Sequence, residues 1–440
     1  MKHRVNKIFF LALVTSILYS CKKESDHPQW DVDVLAPLVI STLDISNLIN
    51  DTLLQSDTNH VLHVVYEKNL YNLNLDSLVN IPDTVLTQAL SFPLFVNIGP
   101  ATPFYNNTTQ LVFGTNGPQL RKAILRNGTL IMTAVNYTVS GLNFQLDIPG
   151  AIRDGNPFSQ SGFVGNATPG DSVVQDFIYD LSGYDLNLTG TTGSSFNTLS
   201  YNLSVATDIN GDTIHVTPNQ KLFKVNQKFS GIFPEYVKGY LGSDTITAGP
   251  SSTAIDIFNK IQSGMLNLSD ATLTATIENG IGADARFKVN NIISVNSRTG
   301  TSVPLLSNQL INQNININRA TETGVASNPV NSTQNIIVLN SSNSNIISFI
   351  ENLPDALSYS MRLTTNPLGN ISGYNDFVYA DYLVSTRMRF EMPLSFSSDH
   401  LTFVDTTDFI SDPEKTFENF KSGKLKLVAE NGFPFRADIG

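Results

Sequence analysis

Apolar and polar residues alternate at every step in Leu142-Asn143-Phe144-Gln145-Leu146-Asp147-Ile148. The same period recurs in Tyr184-Asp185-Leu186-Asn187-Leu188, in Met388-Arg389-Phe390-Glu391-Met392 and in Lys424-Leu425-Lys426-Leu427. Successive side chains of a strand point to opposite faces, so each stretch reads as a strand with one buried and one wet face. Such strands belong to antiparallel sheets, and many of them imply sandwiches or barrels. The expected fold is all-β, made of antiparallel sandwich-like domains with a few short helices. Val205 to Val216 reads as a hairpin around Asn210-Gly211, because a tight type I′ turn needs positive φ at both central residues. Residues 308–345, Asn-rich but interrupted by Ile and Val, read as an irregular edge region.

Three short helices are expected. Ile346, Ile347, Phe349, Ile350 and Leu353 follow helical spacing. So do Ala254, Ile255, Ile257, Phe258 and Ile261, with Ser252 or Thr253 as cap and Gly264 as stop. Asp412-Pro413-Glu414 opens the third, with Pro at the first helical position. Two of these lead into similar text, Phe258 to Leu268 and Phe417 to Leu427, and both reach Glu-Asn-Gly, at 278–280 and 430–432. Gly128 to Asn136 fits Gly423 to Asn431 without a gap. The expectation is a threefold repeat in which Gly128, Gly264 and Gly423 each start a strand, the latter two also ending helices, and Asn-rich turn chemistry closes the strand. The run from Leu427 through Asn431-Gly432 to Phe435 resembles the strand–Asn–apolar pattern of late-embryogenesis type 2 and related extracellular β-sandwich domains. That resemblance implies a sandwich and carries no functional residues.

The only cysteine, Cys21, follows a basic start (Lys2, Arg4, Lys7) and a ten-residue apolar run from Ile8 to Ile17. The run is too short to span a bilayer core, which needs about 20 residues, and reads as a secretory signal peptide cut after Ser20. Leu18-Tyr19-Ser20-Cys21 resembles the lipobox of bacterial lipoproteins, which implies acylation of Cys21. Lys22 is not the Asp associated with inner-membrane retention. Lys22, Lys23 and Glu24, with Ser25 and Asp26, resemble the charged export signal of Bacteroidota surface lipoproteins. The resemblance implies an outer-membrane, surface-displayed protein whose membrane partner is reached through acyl chains.

The expected layout is a signal peptide over 1–20, a tether over 21–34, β-rich domains over 35–250, a sandwich-like domain over 251–410 and the start of a further repeat unit over 411–440. The last residues alternate, so the chain either stops short within a strand or returns that strand to an earlier sheet. Removing Lys2, Arg4 and Lys7 takes the formal charge from −11 to −14. An acidic chain without clustered Lys and Arg argues against nucleic acid as a partner. With Cys21 acylated no thiol remains for a disulfide, and stability must come from buried apolar surface, for which the mature chain is long enough.

Candidate chemistry is sparse. His60 and His63 sit in Val-rich strand text, where odd spacing puts them on opposite faces. Asp208, Asn210 and Asp212 resemble the start of a calcium loop, but Thr213 replaces the turn Gly and Asn219 the bidentate acid. Ser159-Gln160-Ser161-Gly162 reads as a turn. Asp376 and Asp381 are the best carboxylate pair for glycoside hydrolysis, yet their spacing of five also favours opposite faces. Tyr374, Phe377, Tyr379 and Tyr382 form either a sugar-stacking platform or the core and rim of a sheet. No catalytic, metal or cofactor residue is assigned. The leading expectation is a binding or scaffold module for a glycan, a protein or an envelope component. A polysaccharide hydrolase and an amphiphile carrier stay open.

Overall fold

The computed structural model describes residues 37–43, 53–58, 60–403 and 426–431. They fall into two units. In the first, Pro37–Leu43 pairs in parallel with Lys426–Asn431, Ile40 lying opposite Val428. The second holds the remaining described residues and two antiparallel sandwiches.

Seventeen strands make up most of the sheets of the second unit. They are β1 (Leu62–Asn72), β2 (Thr84–Ser91), β3 (Pro103–Val112), β4 (Gln119–Asn136), β5 (Leu142–Arg153), β6 (Asn156–Val164), β7 (Val173–Asp180), β8 (Thr198–Thr207) and β9 (Lys221–Tyr240). After these come β10 (Thr245–Ala254), β11 (Thr272–Asn279), β12 (Ala285–Asn296), β13 (Thr301–Pro304), β14 (Thr333–Leu339), β15 (Ala356–Thr365), β16 (Asp376–Tyr379) and β17 (Val384–Pro393).

One sandwich has sheets in the order β2-β9-β4-β7 and β3-β8-β5-β6, joined by the short strand Asp185–Asn187 between β4 and β5. The other has sheets β1-β17-β11-β14 and β10-β15-β12-β13. The two orders correspond strand for strand, β4 and β5 matching β11 and β12. The first strand of the second sandwich, β1, precedes the whole of the first in the chain. One sandwich is therefore inserted into the other, between β1 and β10.

Alternation fills both interiors. Leu130, Met132 and Ala134 of β4 are fully buried, as are Leu142 and, across the layer, Phe223 of β9. Phe223 meets Phe144 edge-on at 5.9 Å and Tyr105 at 4.9 Å, geometries that add to simple area burial. In the other sandwich Leu273 and Ile277 face Phe287, Leu357 and Met361, all buried. The helix Ile346–Glu351 lays Phe349 flat against Phe390 at 6.3 Å.

The repeat is real, but it is centred on Asn. Asn136 ends β4 fully buried; its Nδ2 donates to the carbonyls of Ser140 (2.7 Å) and Gly165 (2.9 Å), and its Oδ1 accepts from Thr138 N (2.8 Å). Asn279 ends β11 fully buried with the same set: Ala283 O (3.0 Å), Asn318 O (2.9 Å) and Ile281 N (3.0 Å). Each asparagine turns the chain from one sheet into the facing one and satisfies backbone groups that the crossover would otherwise bury unpaired. Asn431 likewise ends its strand.

Other local expectations are corrected. Gly128 lies inside β4, not at its start; a Cβ there would come within 2.8 Å of Ile232 Cδ1. Gly264 lies inside the strand Ile261–Leu268 at φ 106°, opposite a register shift. No helix precedes it. Ala254 ends β10, and 257–260 form a turn held by Asn259 N to Asp256 O and Ile261 N to Phe258 O. The helical spacing reflects a turn whose Ile255, Ile257, Phe258 and Ile261 are all buried. Asn210-Gly211 is a turn, but no hairpin: β8 before it pairs with β3 and β5, while Ile214–Val216 after it pairs with Val96–Ile98. The helix expected at Asp412 and the glycine at 423 lie outside the described residues.

Candidate functional site

Cys21, Lys22, Lys23 and Glu24 lie outside the described residues. The remaining sequence candidates can be placed. His60 sits in the turn before β1 at φ 63°, so it is not on the strand expected for it. His63, on β1, lies between Asp57 (3.5 Å) and Glu391 (3.6 Å). The Asp208 segment closes on itself, Gly211 N donating to Asp208 O, and Gly211 abuts Ser140. Ser159 to Gly162 belong to β6, not to a turn.

Asp376 and Asp381 do different work. Asp376, fully buried at the start of β16, accepts from Asn366 Nδ2 (2.7 Å), Leu241 N (3.1 Å) and Arg319 (3.4 Å). It ties the end of β9 to two loops of the other sandwich. Asp381 is exposed and pairs with Arg126 at 2.8 Å, whose guanidinium also binds Glu235. The aromatics form a seam where β16 extends the sheet of β9. A cross-strand row runs Asp185, Ile124, Tyr236, Tyr379. Tyr236 and Phe377 are buried under Ala320 and Val330, with Tyr379 and Tyr382 half-buried at the rim. Tyr374 stacks on Phe196 instead, at 4.6 Å. These side chains are core and rim.

Glu322 caps the seam, accepting from Tyr236 Oη and Lys238 Nζ at 2.8 Å each. Burial raises its carboxyl, but the hydrogen bonds from Lys238 and Tyr236, together with the charges of Lys238 and Lys122, outweigh burial and hold it below its ordinary value. Burial, then Glu322, pushes the Tyr236 phenol up. A depressed carboxyl contributes stability above its ordinary pKa and loses it as pH falls through the lowered one. The Glu322→Gln variant is therefore expected to lose less stability than the parent between neutral pH and pH 3. The difference, read from thermal melts, should be at most about 1 kcal/mol for so exposed a pair.

The spaces beside the helix are lined by Tyr66, Ile255, Ile257, Phe258, Phe349 and Phe390, and continue past Leu266, Leu268 and Phe396. The larger offers about 30 Å³, room for roughly one water. An acyl chain does not fit it.

Broad polar strand faces are the contact surface expected of a binding module, and the outer face of sheet β3-β8-β5-β6 is one that the sequence did not locate. Two full cross-strand rows cover it, Thr108-Asn202-Asp147-Ser159 and Asn106-Ser204-Gln145-Ser161, with Gln110, Ser200 and Asn143 extending them. Four strands span roughly 14 Å at a spacing of about 4.8 Å. Asp147 is the one charged residue in these rows, and its Oδ1 accepts from Ser159 Oγ (2.6 Å) and Gln145 Nε2 (2.8 Å). Thr108 Oγ1 donates to Asn202 Oδ1 at 3.3 Å. Among the described residues, the side chains of Asn106, Asn143, Ser161 and Ser204 have no hydrogen-bond partner. At one corner Phe163, 51% exposed, lays its ring over Gly141. The other sheet of this sandwich differs: its outer face mixes Val85, Val174 and Ile178 with Lys224, Lys228 and Asp176. On the second sandwich the corresponding positions carry Glu67, Arg387 and Arg389.

No protein-family profile and no curated protein matches the chain. Among solved structures it is similar to a candidate secreted protein from Parabacteroides distasonis ATCC 8503, at 12% identity and a TM-score of 0.19, over 82% of this chain and 99% of that one. It is also similar to a structure of the infectious bursal disease virus Gx strain, at 10% identity and a TM-score of 0.12, over 74% of this chain and 84% of that one. Superposition at these scores is too poor to carry an argument about fold or function.

Proposed function

We propose that the chain is an envelope protein, anchored in the outer membrane by acyl chains on Cys21 and displayed through the Lys22-Lys23-Glu24 signal, that acts as a non-enzymatic binding module. The observation that carries the binding role is the broad polar face of β3-β8-β5-β6, which leaves amide and hydroxyl groups without internal partners. The acids with the best spacing for hydrolysis are engaged elsewhere, Asp376 inside a buried network and Asp381 in an ion pair. The apolar space beside the helix offers about 30 Å³, too little for the acyl chain that a carrier would hold.

Anchoring is tested at Cys21. Each buried CH₂ contributes about 0.8 kcal/mol, so two or three acyl chains hold a protein on a membrane nearly irreversibly. Cys21→Ala is expected to abolish palmitate labelling and to move the protein from the sedimenting membranes to the soluble fraction. A variant that still labels and still sediments would refute the anchor. The binding role is tested by presenting the protein to envelope extract and finding a retained component.

A further inference from the structure

We propose that the outer face of β3-β8-β5-β6 binds a neutral, hydroxyl-rich glycan chain. The inference rests on the binding-module reading and names its ligand class.

Charge is the first argument. The rows contain no Lys or Arg and one carboxylate, Asp147, already engaged by two donors. A uronate, sulfated or phosphorylated polymer would find no cation there, and charge-assisted bonds are the strong ones for such groups. Asp147 would repel it. The face therefore complements an uncharged ligand. Polarity is the second argument. Apart from Asp147, Phe163 and Ala206 the rows are amides and hydroxyls, so a lipid or an apolar protein surface would leave many donors and acceptors unpaired on burial.

The chemistry that does match is that of sugar hydroxyls, each able to donate and accept. Asn106, Asn143, Ser161 and Ser204 offer free groups of both kinds, on strands spaced about 4.8 Å apart. Phe163 supplies an apolar ring at the corner, pinned by its packing over Gly141. Gln110 and Ser200 mark the opposite end, where Thr191 N approaches Gln110 Oε1 at 3.4 Å. Neutral hydrogen bonds exchanged with water contribute little individually, so a single site would be weak. Many copies anchored on one membrane would engage one polymer together and raise the overall avidity.

The test uses the full chain carrying Cys21→Ala, which removes the acylation site and alters no residue of the described body. Affinity electrophoresis in gels containing dextran, galactomannan, alginate or heparin reads binding to neutral and acidic polysaccharides side by side. The expected result is retardation by at least one neutral polymer. That retardation should weaken at least tenfold in N106A/S161A/S204A and in S161K, with unchanged thermal melts, and should persist in K224A/K228A on the opposite sheet. Retardation untouched by the plate variants would overturn the assigned face while leaving a binding module standing. Retardation by alginate or heparin alone would overturn the neutral class. No retardation by any polymer, with a protein retained from envelope extract, would overturn the glycan and leave the binding role intact. Nothing retained from the extract would sink the binding role itself.

Discussion

Replacing Asp376 with Ala is expected to destabilise the described body of the protein by about 3–5 kcal/mol, the range for removing one partner of a buried charge pair. The carboxylate is fully buried and serves three donors at once. Without it, Leu241 N loses its partner and Arg319 keeps only Asp284, at 3.6 Å. Asn366 Nδ2 retains Gly242 O at 3.0 Å, which limits the loss. Asp376→Asn should cost less, because one oxygen still reaches Leu241 N. Asp381→Ala, by contrast, removes an exposed partner of Arg126 and should cost under about 1 kcal/mol. Urea unfolding of the three variants separates a structural Asp376 from a spare surface acid. Equal losses at 376 and 381 would contradict the account.

The second large effect concerns the repeated asparagines. Asn279→Ala leaves Ile281 N and the Ala283 carbonyl without their partner in a closed turn, while Asn318 O keeps the hydroxyl of Thr333. Each buried unpaired group costs about 1–3 kcal/mol, so a loss of about 2 kcal/mol or more is expected. Asn136→Ala should cost about as much, because it strands Thr138 N and Gly165 O while Thr138 Oγ1 continues to serve Ser140 O, as the Thr333 hydroxyl serves Asn318 O in the other turn. Asn279→Asp is the sharper probe. It keeps the shape and the acceptor but turns the donor toward two carbonyls as a second acceptor. It should be at least as damaging as Ala. An Asp variant as stable as the parent would show that the donor bonds contribute nothing.

Much of the fold could be read from local text. Leu142–Ile148 and Met388–Met392 are strands with the faces that alternation implies, because the period-two signal is carried by each strand alone. The helix at Ile346 was legible for the same local reason. Nesting was not. β1 pairs with β17 across the whole inserted sandwich, and no window of sequence records a partner so far away. The repeat was half-legible. Matching text found Asn136 and Asn279, where one side chain performs the same task twice. It failed at Gly264, where the seven extra residues of that copy belong to another strand and the turn after it. Of the functional candidates, the buried Asp376 and the seam aromatics looked chemical because acids and rings draw attention. Broad polar strand faces were expected as contact surfaces, but none could be placed, because Asn, Ser, Thr and Gln at every second position read as an ordinary wet strand surface. Only register reveals that four such strands adjoin.

The central claim, a protein that holds a polysaccharide without cutting it, is tested most directly in one tube. The Cys21→Ala chain is incubated with the neutral polysaccharide that retards it. Co-sedimentation and new reducing ends are measured on the same sample over a day. The account predicts retention of the polymer with no increase in reducing ends over a buffer control. Reducing ends that rise with protein concentration, and vanish when a carboxylate such as Asp147 is replaced by Asn, would show a hydrolase and contradict it.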